Sequence, residues 1–263
     1  KYSIEIKNKY EFGAKIKFIP SPTQRSPLFE FLKARNTNRY FFSKANPDVI
    51  KKLTLPFENK ALFVEKPSIQ QLWTVSRLET SILRWPKVFF DLLDTIYLED
   101  DVAPPREGLH WKNVELNILE KSIVHQVRRK PQWYPYLYWS IYWNMLLKNF
   151  FKYSLGNGFV VFPFKDFSNQ SLVELGETAT LFWIMAAQNN LSMQPLTLSS
   201  LFHNQVSVEQ TPPELPSSVI KVFNNSSKLI NESFYWAFRI GKGPLLKGPE
   251  LTRRLHTSEI LSR

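Results

Sequence analysis

The stretch Phe234-Tyr235-Trp236-Ala237-Phe238-Arg239-Ile240 predicts the clearest β-strand of the chain, because aromatic and β-branched residues favour extended backbone. Gly241-Lys242-Gly243-Pro244 follows it and predicts where the strand ends. Two shorter apolar runs, at 61–64 and 159–164, predict further strands of the same kind. The strand signals are therefore spread over the chain and separated by long intervals.

Helical signals fill those intervals. Ser68 and Gln71 form a capping box ahead of apolar residues at helical spacing. Ser171 and Glu174 form a second one for a long helix that ends at Asn189-Asn190, and its apolar residues on most sides predict that it is central and buried. Because helices outnumber strands and do not alternate with them as regular βαβ units, the pattern predicts an α+β fold.

Composition places the chain among globular proteins. It has 263 residues, of which 43% are hydrophobic, enough for one large core or two modest ones. A membrane span needs roughly 18 uninterrupted apolar residues, and the best candidate, 136–153, is broken by Asn144, Lys148, Asn149 and Lys152. The absence of cysteine excludes disulfides, thiolate metal sites and cysteine nucleophiles. We therefore expect no membrane partner and a cytoplasmic protein.

The chain carries a net charge of +11, which favours partners that bear phosphate: nucleic acid, nucleotides, anionic lipid or a phosphorylated cofactor. The pentapeptide Arg35-Asn36-Thr37-Asn38-Arg39 offers two guanidinium groups and a hydroxyl within five residues. Its asparagines tolerate left-handed backbone, so they would end a helix and turn Arg39 back beside Arg35. This pattern predicts an anion clamp, and the plainer interpretation is two surface arginines flanking a helix stop.

A second basic run, Arg128-Arg129-Lys130, precedes an aromatic stretch at 133–139. Basic and aromatic residues together could bind single-stranded nucleic acid by stacking. The alternative is a solvated basic turn before a core helix, and we favour it because rings at this density are mostly buried. The four histidines show no metal-ligand spacing, so no metal site is predicted.

Four segments in fixed order resemble the nitroreductase family of flavin mononucleotide (FMN) proteins, and the resemblance covers residues 28–261. The segments are Arg35-Asn36-Thr37-Asn38-Arg39, Gly176-Glu177-Thr178-Ala179 through Asn190-Leu191, Gln194-Pro195-Leu196-Thr197, and the strand 234–240 with Gly241, Pro244 and Arg253-Arg254. The chain is most similar to the two-lobed, Acg-like subgroup, whose clamp reads Arg-x-Thr-Asn-Arg and which has a mid-chain Gly-Leu, here Glu107-Gly108-Leu109.

The resemblance implies a nitroreductase-like fold: a central, mostly antiparallel sheet packed by helices, with a long buried central helix. It also implies which residues bind FMN. Phosphate and ribityl oxygens would be held from one side by Arg35, Asn36, Thr37 and Arg39 and from the other by Arg253 and Arg254. Pro195, Leu196 and Thr197 would line the flavin ring, with main-chain N–H groups directed at its edge. A flavin would supply the chemistry, so no catalytic side chain is assigned.

The activity that the resemblance implies is hydride transfer from NAD(P)H to a nitroaromatic, a quinone or a similar acceptor. One alternative is an FMN-binding or storage protein without turnover, because Thr197 stands where many active members carry an acidic residue. A second, from another class, is a basic nucleic-acid-binding protein. The family's flavin-contacting strip, Pro-Ser-x-x-Asn-x-Gln-Pro, has no match in 43–65, so we expect a homodimer or an additional N-terminal lobe to complete the pocket.

The N-terminal segment, 1–24, is expected to stand apart from the FMN-binding domain at 25–263. Alternating apolar and polar residues at 2–7 and 15–19 predict two short strands there. The chain opens Lys1-Tyr2-Ser3 without methionine, so these strands are expected to be the end of a preceding lobe or part of a longer precursor.

Overall fold

The computed structural model describes residues 2–6, 14–18, 31, 37–99, 108–200, 204, 217–224, 229–230 and 234–246. Its strands are β1 (Tyr2–Ile6), β2 (Ala14–Phe18), β3 (Leu62–Val64), β4 (Ile96–Tyr97), β5 (Leu109–His110), β6 (Gly158–Phe164), β7 (Ser192–Pro195) and β8 (Phe234–Gly241). Its helices are α1 (Pro47–Thr54), α2 (Ile69–Thr80), α3 (Pro86–Thr95), α4 (Ile118–Arg129), α5 (Tyr134–Leu155), α6 (Asn169–Gln188) and α7 (Ser217–Asn224), with a helical turn at 197–200.

Four strands form an antiparallel sheet in the order β3-β6-β8-β7. In its register Val160 of β6 lies opposite Phe238 of β8, and Gln194 of β7 lies opposite Arg239. The strand predicted at 234–240 is therefore central, paired on both sides. The α+β class and the antiparallel sheet are confirmed.

Two smaller pairs complete the strands of the described residues. β1 and β2 pair antiparallel with Ile4 opposite Ile16, so the two strands predicted near the N-terminus are confirmed. β4 and β5 form a short parallel pair in which Tyr97 lies opposite His110.

The four-stranded sheet is covered by helices on both faces, because its strands are apolar on both sides. Val160, Phe162 and Phe238 pack with α1 and α6, and the rings of Phe162 and Phe182 are 5.4 Å apart. Phe159, Val161 and Ala237 point the other way and pack with α2 and Tyr153 of α5. β8 is thus buried from above and below.

The prediction that the helix ending at Asn189-Asn190 is central and buried holds for one of its sides only. α6 buries one side, including Ala179, Phe182 and Ala186, against the sheet. Leu172 and Leu181 on its other sides remain 40% and 41% exposed. A helix in an outer layer meets the core on one side only, and apolar residues elsewhere on it stay at the surface.

Local signals fixed the ends of several helices. Ser68 and Gln71 exchange the two hydrogen bonds of the predicted capping box, at 3.1 Å and 2.8 Å, ahead of α2. α6 begins before its predicted box, because the hydroxyl of Ser168 accepts from the N–H of Ser171 at 3.3 Å. At Asn190 the backbone is left-handed, with φ 56°, and this residue ends α6. Apart from glycine, asparagine is among the residues that adopt this conformation most readily.

The long helix α5 joins two cores. Tyr153 near its C-terminal end packs under the sheet, whereas Tyr134, Tyr142 and Leu146 pack with α3 and α4 in a second, purely helical core. The ring of Tyr134 stacks on that of Phe89 at 5.0 Å. Among the helices in the described ranges, each is too short or too polar to cross a lipid bilayer.

Candidate functional site

The second half of the predicted clamp lies along the outer edge of β7. Thr37 pairs with Met193 in a parallel bridge, and the N–H of Asn38 donates to the carbonyl of Met193 at 3.1 Å. β7 leads directly into Pro195, Leu196 and Thr197. The structure therefore brings together the clamp segment and the segment predicted to line the flavin ring.

Asn38 ties a third segment to this edge. Its buried amide donates to the hydroxyl of Ser192 at 3.2 Å and to the carbonyl of Pro244 at 2.9 Å, and its oxygen accepts from the N–H of Tyr40 at 3.1 Å. Sequence reasoning treated Asn38 as a helix terminator and missed this role. The loop after β8, which the resemblance also assigns to the site, thus lies against the clamp segment.

Gly243 shows how closely the loop approaches. A Cβ on this residue would lie 2.5 Å from Nδ2 of Asn38 and 2.6 Å from the hydroxyl of Ser192, closer than real side chains come. One residue earlier, Lys242 and Ser43 exchange two backbone hydrogen bonds of 2.9 Å each. The three segments form one closely packed sheet edge.

Arg239 is the buried cation behind this edge. Its guanidinium donates to the carbonyls of Tyr40 at 2.5 Å, Asn38 at 3.4 Å and Lys152 at 3.3 Å, and to Oε1 of Gln194 at 2.6 Å. Burial lowers its pKa to about 10, and nearby Tyr153 and Glu115 partly oppose that shift. Sequence reasoning counted Arg239 only as part of a strand; an arginine amid six apolar strand residues was the available signal.

Positive charge exceeds negative charge around the clamp segment. The cations are Arg39, Lys148, Lys152 and Arg239, and the carboxylates among them are Glu115 and Glu120. Lys152 forms a buried ion pair with Glu115, and Lys148 pairs with Glu120 at 2.9 Å. Arg39 donates to the carbonyl of Asn113 at 3.3 Å, two residues from Glu115, and Tyr40 donates to that of Lys112 at 3.1 Å.

The buried position of these cations weakens their hold on protons. Burial lowers the pKa of Lys152 to about 8; Glu115 raises it and Arg239 lowers it further. Burial also lowers the pKa of Arg39. Burial is the largest cause of both shifts, and the nearby Arg239 adds a smaller lowering of the pKa of Lys152.

The three residues predicted to line the ring differ in their surroundings. The side chain of Leu196 is fully buried in the core, and its N–H donates to the carbonyl of Ala237 at 2.8 Å. Pro195 has no N–H and is half-buried. Thr197 is exposed and begins the helical turn at 197–200, so its N–H has no acceptor within that turn.

A partly buried carboxylate holds the start of that turn. Glu79 of α2 accepts from the N–H of Ser199 at 2.8 Å and from its hydroxyl at 2.5 Å. Burial raises the pKa of Glu79 to about 7, although the hydrogen bonds from Ser199 and Leu198 oppose the shift. Glu79 therefore positions the turn that Thr197 begins.

Arg35, Asn36, Arg253 and Arg254 lie outside the described residues, so the convergence of the two basic pairs stays a prediction. Two of the cavities described in the structure lie elsewhere: a groove of about 870 Å³ beside β4 and α4, and another of about 720 Å³ beside the start of α6. A third, an apolar cavity of about 300 Å³ among α3, α4 and α5, is lined at one end by Lys148 and Lys152.

The favoured interpretation of the basic run before α5, a solvated turn followed by a core helix, is confirmed only in part. Arg129 and Lys130 are exposed, and Arg128 donates to the carbonyl of Ile96 at 2.9 Å. The expectation that the following rings are mostly buried is wrong for Trp133, Tyr136 and Trp139, which are at least 45% exposed. This end of α5 meets the helical core on one side only, through Tyr134 and Tyr142, so the rings on its other side stay at the surface.

Comparison of the chain with protein-family models, with curated proteins and with solved structures gave no match. The proposals below therefore depend on the residues and their geometry.

Proposed function

We propose that this chain is an FMN-binding protein of the nitroreductase type, in which the sheet edge formed by Thr37–Arg39, β7 and the Gly241–Pro244 loop carries the cofactor site. The observation that carries the proposal is the contact of Asn38 with both Ser192 and Pro244. Asn38 belongs to the first segment that resembles the family, Ser192 lies two residues before the third, and Pro244 belongs to the fourth. In sequence Asn38 is 154 residues from Ser192 and 206 residues from Pro244.

The chemistry of the donors fits a phosphate-bearing cofactor. Phosphate needs several cationic donors, and arginine offers a planar fork that matches its oxygens in pairs. Four cations face two carboxylates behind the edge, and Arg35, Arg253 and Arg254 would add to this excess. Thr37 and Arg39, with Asn36, would hold the ribityl and phosphate oxygens.

The ring would lie against the end of β7. Pro195 and Thr197 are the accessible residues there, and Leu196 supports them from the core. When bound, FMN would supply two-electron chemistry, accepting a hydride from NAD(P)H and donating it to a nitroaromatic, quinone or similar acceptor. The protein would orient the ring through Thr197, whose turn is held by Glu79.

A spectrum tests binding. Protein reconstituted with FMN should retain flavin absorbance after gel filtration, and Arg35→Ala and Arg253→Ala should each weaken binding at least tenfold. Lys44→Ala is the matched control, because it removes an exposed positive charge on the same segment. Equal binding by all four proteins would remove the proposal. Bleaching of bound flavin by NADPH, with reoxidation by a quinone, would then separate an oxidoreductase from a storage protein.

We further propose that a second copy of the chain completes the site. α5 presents a stripe of exposed apolar residues at intervals of three or four: Tyr136, Trp139, Trp143, Leu147, Phe151 and Leu155, each 45% to 87% exposed. At roughly 150–250 Å² for a whole aromatic side chain, the stripe offers on the order of 700 Å². A standard interface buries about 800 Å² per partner, so the stripe is the right size for a dimer.

The stripe carries no charged residue, which favours self-association over a charged partner. Sedimentation should show a dimer at micromolar concentration, and Trp143→Glu with Phe151→Glu should yield a monomer. Ile69→Glu places the same charge on an exposed apolar residue of α2 and should leave the dimer intact. A wild-type monomer would contradict this proposal.

Nucleic-acid binding is the second candidate function, and the exposed rings of Trp133, Tyr136 and Trp139 favour it. The ammonium of Lys130 lies 4.9 Å from the centre of the Trp133 ring, beside exposed Arg129. Basic groups with exposed rings suit single strands. Binding of labelled oligothymidylate should then weaken steeply with salt and be lost in Trp133→Ala with Tyr136→Ala. A negligible signal at low salt would remove this candidate.

A further inference from the structure

The apolar cavity of about 300 Å³ lies within the helical core, and the FMN proposal places no part of the cofactor in it, although both draw on the charges of Lys148 and Lys152. Its walls include Leu83, Phe89, Leu93 and Val127, which are buried members of that core. Protein cores are packed about as densely as organic crystals, and voids larger than one water molecule are few. A space of this size corresponds to the lower end of small-molecule sites.

The side of α5 that lines the cavity changes character along the helix. Ile141 and Met145 are apolar, and Asn149 and Lys152 follow at helical spacing on the same side. Asn144, which also lines the cavity, is exposed, whereas Asn149 and Lys152 are buried. The cavity therefore opens near Asn144 and ends in a polar wall.

That polar wall carries an excess of positive charge. Lys148 and Lys152 line it with Glu120, and Glu115 pairs with Lys152 from behind. Arg239 does not line the cavity, but its guanidinium donates to the carbonyl of Lys152 at 3.3 Å. The two lysines and this arginine are therefore three cations beside two carboxylates. Among the described contacts the ammonium of Lys152 donates to Glu115 alone, which leaves two of its three N–H groups for a ligand.

The volume sets the size of the ligand. An apolar cavity of ~150 Å³ accommodates the six carbons of benzene, so a cavity of about 300 Å³ suits roughly ten to twelve carbons. An apolar wall with a cationic end calls for an alkyl chain with an anionic head.

We propose that this cavity binds a medium-chain carboxylic acid, with its alkyl chain along Ile141 and Met145 and its carboxylate at Lys152 and Asn149. The ligand would share the ammonium of Lys152 with Glu115. The buried position of Lys152 strengthens the pull on an anion, and it agrees with the lowered pKa of this group. The proposal does not depend on flavin.

Calorimetry on flavin-free protein tests it with three probes of equal chain length. Decanoate should bind at least tenfold more tightly than decanol, and decylamine should not bind measurably. Shortening to hexanoate should weaken binding about tenfold or more, because part of the apolar wall stays uncovered. Hexadecanoate should also bind more weakly than decanoate, because its chain exceeds the cavity.

Three variants locate the site. Met145→Trp fills the cavity and should abolish decanoate binding, whereas Met145→Leu keeps the volume and should preserve it. Lys152→Met with Glu115→Gln removes the buried pair together, and decanoate should then bind no better than decanol.

Decanol binding as tightly as decanoate would overturn the assignment of an anionic head, and decanoate binding by Met145→Trp would overturn the location. Absence of binding by the wild-type chain would overturn the proposal outright. The chain-length series needs no variant, so it decides the question even where a substitution unfolds the protein.

Discussion

The guanidinium of Arg239 lies 3.8 Å from the centre of the Phe42 ring. The ring face adds a cation–π contact to the four oxygen atoms that accept from this guanidinium. Among the described residues no carboxylate contacts Arg239. A buried charge is tolerated only when its donors are satisfied. Arg239 therefore fixes the segment 38–42 to the sheet, and with it the edge proposed for the flavin.

Replacing Arg239 by methionine should lower the free energy of unfolding by about 3 kcal/mol or more, because buried carbonyls of Asn38, Tyr40 and Lys152 lose their donor. Arg239→Lys keeps the charge but not the planar fork, so its loss should be smaller but measurable by urea denaturation. Lys52→Ala, at an exposed cation, should change stability by less than about 0.5 kcal/mol. Equal stability of all three variants would contradict this role.

Stability should fall as pH rises from about 5 to 8 because of Glu79. Its pKa in the folded chain is about 7, above the ordinary value of 4.5, so the folded state binds more protons between these values. The stability that protonated Glu79 contributes is fully present below pH 4.5, the ordinary pKa. It is lost as the pH rises through about 7, the pKa of Glu79 in the folded chain. Glu79→Gln should reduce the loss of unfolding free energy between pH 5 and pH 8 by at most about 3 kcal/mol. The limit is an upper one because Glu79 is only partly buried.

Thermal denaturation at pH 5, 6.5 and 8 measures the difference. Glu99→Gln, at an exposed acidic residue, is the control and should follow the wild-type profile. A variant at position 79 with an unchanged profile would show that another group titrates in this range.

Two glycines should respond in opposite directions to alanine. Gly158 has φ of 112°, and a Cβ there would overlap the carbonyl oxygen of Val64 across the sheet. Gly158→Ala should therefore destabilise by about 3 kcal/mol or more. A Cβ added to Gly176 in α6 would meet no atom within 4 Å beyond the adjacent helix backbone, so Gly176→Ala should stabilise by about 0.5–1 kcal/mol. Chemical denaturation of the pair checks both signs, and equal effects would contradict the described backbone.

Gly243→Ala should weaken FMN binding about tenfold, because the new methyl group would push Asn38 and Ser192 apart at the proposed site. Fluorescence titration of FMN measures the affinity, and Gly176→Ala is the control for a distant alanine. Folding should be checked by circular dichroism. A folded Gly243→Ala protein with wild-type affinity would place the cofactor away from this loop.

Local chemistry made much of the secondary structure predictable. Asn46 accepts from the N–H of Asp48 at 3.0 Å and caps α1, whose first residue is Pro47. The strands expected at 159–164 and 234–240 were found within one residue of their limits. These signals act between residues a few positions apart, so neighbours in sequence suffice to encode them.

The extent of burial could not be predicted in this way. The rings of α5 were expected in the core, and those of Tyr136 and Trp139 lie at the surface, whereas Lys152 of the same helix is buried with Glu115. Periodicity identifies one side of a helix, but which side meets the core depends on how the layers stack. The same reason explains the exposed outer side of α6.

By itself the sequence determined the positions of strands and helices, the excess of positive charge and the four segments that resemble a flavoprotein family. Only the tertiary structure decided that Asn38 joins Ser192 to Pro244 and that Arg239 reaches the carbonyls of Asn38 and Tyr40. These partners lie more than 150 residues apart in sequence. Such contacts form only when the sheet brings distant segments together, and no local signal specifies them.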